Sequence, residues 1–156
     1  MLARTENPPV GDLANQVRHE LVMIPYYSVF DDLSYTVNDG VVTLAGDVTL
    51  PVVKDDAQRA VKRLPGVTQV VNNIRVLPLS SFDQRIRLAE YRTIFGYAGL
   101  YRYAMGAVPS IHIIVDNGHV RLVGVVNSQA DKEMAYIRAN TVSGVFSVTN
   151  DLKVAE

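Results

Sequence analysis

The sequence predicts an α+β protein made of two tandem α-β-β-α-β units, each a three-stranded mixed sheet with two helices on one face. Three observations carry this. Two stretches, Val37–Val48 and Val115–Val126, each place Asx residues and Gly before a segment that alternates apolar and other side chains. Asx and Gly supply the positive φ angles of a tight hairpin turn, and alternation at period two marks a strand with one buried face. A shift of 78 residues superposes 38–76 on 116–154 without a gap, with twelve identities in thirty-nine positions. They fall at glycines and core-phase valines, among them Gly40/Gly118, Leu44/Leu122, Gly46/Gly124 and Asn72/Asn150. Helical spacing of apolar residues then fills the segments before and after each hairpin.

Taken in order, residues 1–12, with Asn7-Pro8-Pro9, form an extended N-terminal arm. Leu13, Val17, Leu21 and Ile24 make the stripe of a helix over 13–24, with Asp12 able to cap it and Pro25 to stop it. An aromatic connection, Tyr26–Asp32, leads into strands at 33–38 and 41–48. Pro51 suits the first turn of a helix over 52–64, which Pro65-Gly66 ends, and a strand at 67–76 follows. Units 13–77 and 82–156 are joined by a linker, 78–81. The second unit starts with a helix from Phe82 to Phe95, capped by Ser80 or Ser81. An insertion absent from the first copy, 96–109, reads as a turn and a short helix. Strands at 110–116 and 119–126, a helix over 129–142 and a strand at 145–154 complete it, with Ser128 and Asp131 as a capping box.

The chain of 156 residues is nearly half apolar and one-fifth charged, with net charge −1. Divided at Leu77, the halves carry 7 basic and 9 acidic residues, then 8 and 7. Neither half is a charged module, so nucleic acid is not an expected partner. Cysteine is absent, which excludes a disulfide framework and thiolate metal sites. No apolar run approaches a membrane span, and Met1–Asp12 lacks a signal-like apolar core. The protein is therefore expected to be cytoplasmic, or to have lost a signal ahead of Met1.

The unit order, the Asx-Gly turn, the Val-x-Leu-x-Gly-x-Val strand, the Pro/Ser-Gly-Val helix exit and the Val-x-Asn-x-Ile/Leu-x-Val last strand together resemble the BON domain, twice over. The stretches His19–Asp31 and Pro109–Val120 are similar to those of exported dual-BON bacterial proteins. The resemblance implies a periplasmic or extracellular protein after signal-peptide removal, without known catalysis, bound to phospholipid or other envelope surfaces. Gly40, Gly46, Gly118 and Gly124 are then structural turn and strand positions.

No catalytic, metal or cofactor site is expected. His112 and His119 are the metal suspects, but an Asn117-Gly118 turn sets Asp116 against His119 and His112 against Val123, too far apart to share an ion. Asp31-Asp32 belong to a turn and Asp55-Asp56 to a helix N-terminus. Asn72 and Asn150 put an amide in the apolar phase of each last strand, where a hydrogen-bonded structural role is expected. Tyr91, Arg92, Phe95, Tyr97, Tyr101, Arg102 and Tyr103 form either a small second core or an exposed Tyr/Arg surface suited to protein or lipid interfaces. His112, Ile114, Val123 and Val125 make the outer face of the second sheet too apolar to stay open. It should be covered by the first copy, by 96–109 or by another subunit. The expected function is a non-catalytic interaction protein of the envelope or extracellular space, associating with itself or envelope proteins, with a filament or tube if contacts are heterologous. The alternative is a peripheral phospholipid binder, with Arg85, Arg87 and Arg92 of helix 82–95 at the membrane.

Overall fold

The computed structural model describes residues 10–156 and divides into two compact units. One comprises Leu33–Leu77 with the described residues up to Tyr27; the other comprises Ser28–Asp32 and Pro78–Glu156. The expected arm 1–12 lies mostly outside the described residues. Its last positions are helical, because α1 runs Val10–Val22 and puts Asp12 in the first turn, where a carboxylate meets the helix dipole.

In the first unit, β1 (Asp32–Asn38) and β2 (Val41–Val48) form the hairpin, α2 spans Pro51–Lys62, and β3 (Gln69–Asn72) and β4 (Arg75–Val76) pair parallel to β2. The last strand, expected as one piece over 67–76, is therefore split, which makes four strands of three. Leu13, Val17 and Leu21 of α1 and Val53, Ala57 and Val61 of α2 bury against Val42, Leu44, Val48 and Ile74. Both helices thus cover one face.

The second unit repeats the plan with α3 (Ser81–Phe95), a 3-10 turn at Tyr101–Ala104, β5 (Ile111–Asp116), β6 (His119–Val126), α4 (Gln129–Ala139) and β7 (Ser147–Val154). Its sheet order is β5-β6-β7, antiparallel then parallel. The parallel register is the same in both units at the shift of 78: Val41 pairs Gln69 as His119 pairs Ser147, and Val48 pairs Val76 as Val126 pairs Val154. Asp39-Gly40 and Asn117-Gly118 occupy positive φ in the two hairpin turns, which fixes Asp116 opposite His119 and His112 opposite Val123.

The repeated asparagines join helix to edge strand. Asn72 Nδ2 donates to the Lys54 carbonyl at 3.1 Å, and Asn150 Nδ2 to the Lys132 carbonyl at 2.9 Å. Each side-chain oxygen accepts the main-chain N–H two residues on, from Ile74 at 3.2 Å and Leu152 at 3.3 Å. An amide in the apolar phase is tolerated because both ends are satisfied.

Candidate interaction surface

Helix α3 shapes the second unit from inside. Ser80 caps it through Asp83 N–H at 3.1 Å. The buried Asp83 carboxylate in turn accepts the N–H groups of Asn117 at 2.8 Å and Gly118 at 2.9 Å, which holds the β5–β6 turn. One turn on, Arg87 is also buried and donates to the Val115 carbonyl at 2.8 Å. The expectation of Arg87 at a membrane is thus corrected: its guanidinium serves the sheet. Glu90 follows on the same inner stripe, fully buried, with neither carboxylate oxygen hydrogen-bonded. Burial pushes its carboxyl up to about 8, so it is neutral at pH 7.

The Tyr/Arg segment divides between the two roles open to it. Phe95 and Tyr103 are buried with Leu100 in the core, so neither is a surface residue. Backbone hydrogen bonds fold the insertion back, with Tyr103 O accepting Ser110 N–H at 2.8 Å, and this turns the Tyr103 ring inward. Its hydroxyl donates to Asp131 and accepts from Asn127 N–H at 2.9 Å. The Tyr103 hydroxyl and then Arg102, which also bonds Asp131, hold that carboxylate below its usual range. Tyr91, Arg92, Tyr97, Tyr101 and Arg102 remain exposed or half-exposed. Tyr91 packs edge-on against Phe95 at 5.0 Å, and Arg138 lies 5.3 Å over the Tyr97 ring.

The outer face of the second sheet is unevenly covered. His112 and Ile114 are buried and Val123 is partly so, while Val125 stays 50 % exposed. Along β5 the cover is the connector Ser28–Asp32: Val29 O accepts Ile113 N–H at 2.8 Å, and His112 Nδ1 lies 3.2 Å from Ser28 O. Burial pulls the His112 imidazole below its ordinary range, so the neutral ring donates through Nδ1. Asp31 closes the connector's turn by accepting from Ser28 N–H at 2.9 Å, and Asp32 pairs with Arg121 at 3.0 Å. His119 is engaged separately, with Nδ1 2.7 Å from Ser147 Oγ. No three potential metal ligands converge among the described residues.

One group escaped the sequence reading. Phe146, 71 % exposed, stacks at a tilt on Phe82 at 6.4 Å and on His119 at 5.8 Å, and Arg85 lies 5.1 Å over the Phe82 ring. The signal was present in the repeat, since Phe146 replaces Thr68 of the first copy beside the same turn glycine. Among the described residues no helix is long and apolar enough to cross a membrane.

Two α-β-β-α-β units in one register define a tandem repeat of one small α+β module. The chain belongs to the BON-domain family, whose model matches residues 10–78 and 104–156. It is 35 % identical over 133 residues to osmotically-inducible protein Y of Escherichia coli (strain K12), across 78 % of this chain and 61 % of that protein. The chain thus spans about three-fifths of that relative's length. Two solved structures of CdsD, a type III secretion system structural protein of Chlamydia trachomatis, align at 16 % identity and TM-score 0.33. One alignment covers 93 % of this chain and 98 % of CdsD's C-terminal domain, the other 92 % of each. At that score the likeness bears on neither fold nor function.

Proposed function

We propose that the chain is a non-catalytic interaction protein of the bacterial envelope or extracellular space, working by association with itself or with envelope proteins. The observation that carries this reading is the exposure of Tyr91, Tyr97, Tyr101 and Met105 on α3 and the insertion, interleaved in sequence with exposed Arg92 and Arg102, together with half-exposed Val125 on the outer sheet face. Tyr and Arg dominate interface hot spots because each joins a large apolar area to a polar tip. A net charge of −1 leaves association almost unopposed. Membership of the family and the osmotically inducible relative support a periplasmic or extracellular placement.

A second reading, peripheral phospholipid binding, has one observation of its own: the Phe82, Arg85 and Phe146 group offers exposed rings beside a cation. With Arg87 turned inward, Arg85 and Arg92 are the basic groups of α3 left for lipid, and about 1 kcal/mol per basic residue is the usual scale. Size-exclusion chromatography with co-sedimentation on anionic liposomes separates the two readings. Association without lipid and no pelleting supports the first; lipid-dependent pelleting of a monomer overturns it for the second.

A further inference from the structure

The sheet of the second unit has two edges, and the connector closes one of them. Val29 takes the outward N–H of Ile113 on β5. At the other end β7 is the last strand, and among the described residues no strand lies beyond it. It runs unbroken for 8 residues, where its counterpart in the first unit is split into β3 and β4. Ala155 N–H donates to the Val126 carbonyl at 2.8 Å, so odd-numbered residues turn their main-chain groups toward β6. Those of Val148, Asn150, Leu152 and Val154 consequently point away from the sheet. Such a row is a template for another strand.

We infer that β7 pairs antiparallel with β7 of a second copy about a two-fold axis at Leu152. This deepens, and rests on, the self-association proposed above. Charge selects the occupant and the register. Asp151 and Lys153 both project from the outer face, with the Asp151 side chain 53 % exposed and 3.9 Å from Arg121, and Lys153 exposed. Centring on Leu152 sets Asp151 of each copy opposite Lys153 of the other, twice, as closely spaced non-hydrogen-bonded pairs. Centring on Asp151 or Lys153 sets like charges face to face, and centring on Asn150 leaves Asp151 opposite Thr149. Half-exposed Tyr136 and Ile137 of α4 line a groove of about 360 Å³ beside the edge, and Val125 lines one of about 660 Å³ on the outer face.

Asn150 is the latch on this edge. Its Oδ1 holds the Leu152 N–H, the donor that lies on the two-fold axis. Pairing therefore requires the amide to swing aside and Leu152 to exchange hydrogen bonds with its symmetry mate. An eight-residue strand contact with flanking side chains falls below the standard 1,200–2,000 Å² of stable interfaces, so the dimer is reversible.

The test is sedimentation velocity on full-length wild type, D151K, K153D, the double variant D151K/K153D and N150A, with circular dichroism confirming the fold of each. D151K and K153D alone are expected to weaken association by about tenfold or more, because each sets like charges opposite one another. Mixing the two should restore a heterodimer, the double variant should restore the homodimer, and N150A should associate more tightly than wild type. Wild-type association that none of the charge variants alters overturns the β7 contact and leaves self-association standing through another surface. Wild type and N150A both monomeric at the highest attainable concentration overturn the contact and the self-association together.

Discussion

Glu90 is the residue that departs most from ordinary behaviour. It is fully buried, neither oxygen has a partner, and burial raises its carboxyl from 4.5 to about 8. Below about pH 4.5 the folded and unfolded chains both hold the proton. Between there and about 8 only the folded chain keeps it, so the stabilising difference is lost as pH rises across that window. His112 acts in the opposite sense: burial lowers its imidazole from 6.5, so stability is lost as pH falls below that value. Glu90→Gln removes the first dependence while keeping the shape. Denaturant titration should show wild type losing stability from about pH 6.5 to about pH 8, at up to roughly 1.4 kcal/mol per unit, whereas the variant, left with the His112 dependence, holds level above about pH 6.5 and loses stability below it. The variant should be the more stable at the alkaline end. Parallel curves for the two proteins would contradict the buried, partnerless carboxylate. The sequence showed Asp83, Arg87 and Glu90 at helical spacing, but that pattern alone cannot say which side of an amphipathic helix a charged stripe faces. Partners on distant strands decide it: Val115 and the Asn117-Gly118 turn draw Arg87 and Asp83 inward.

At the scale of elements, what repeats is legible and what is inserted is not. The hairpin registers, the helices and the 78-residue offset all follow from period-two and helical patterning with turn chemistry, because these depend on neighbours a few residues away. The split of the last strand into β3 and β4 was not legible, nor was the placing of Phe95 and Tyr103 in the core. Aromatics interleaved with arginine suit a surface and a small core equally well, and the backbone path of 96–109 decides between them. The packing of the connector was not legible for a similar reason: Ser28–Asp32 precedes the first strand in sequence yet packs with the second unit. Gly124 gives a direct check on the strand geometry. Its φ is +131°, and a Cβ there would stand 1.9 Å from the carbonyl oxygen of Ser110, in the link between the insertion and β5. Left-handed backbone strain alone costs about 1–3 kcal/mol, so Gly124→Ala should lose at least about 2 kcal/mol in chemical denaturation. A loss under about 0.5 kcal/mol, the range of ordinary surface substitutions, would mean that β5 and the insertion do not approach β6 as described.

At the scale of the whole molecule, two units of the same family have diverged in what they present. The first keeps polar residues on its outer strand face, Ser34, Thr36 and Thr43. The second buries His112 and Ile114, leaves Val125 half open, and carries exposed Tyr91, Tyr97 and Tyr101, Phe146 and the unbroken β7 edge, while the first exposes Met23 and Tyr26. An unbroken exposed edge is thus a feature of the second copy, whereas the corresponding edge of the first sheet is split between β3 and β4. The central claim is that the protein works by associating through that copy, and sedimentation equilibrium of the full chain over a wide range of concentrations tests it most directly. The weight-average mass should rise smoothly with concentration from the monomer value, without lipid or any added partner. A mass fixed at the monomer value throughout would contradict the claim.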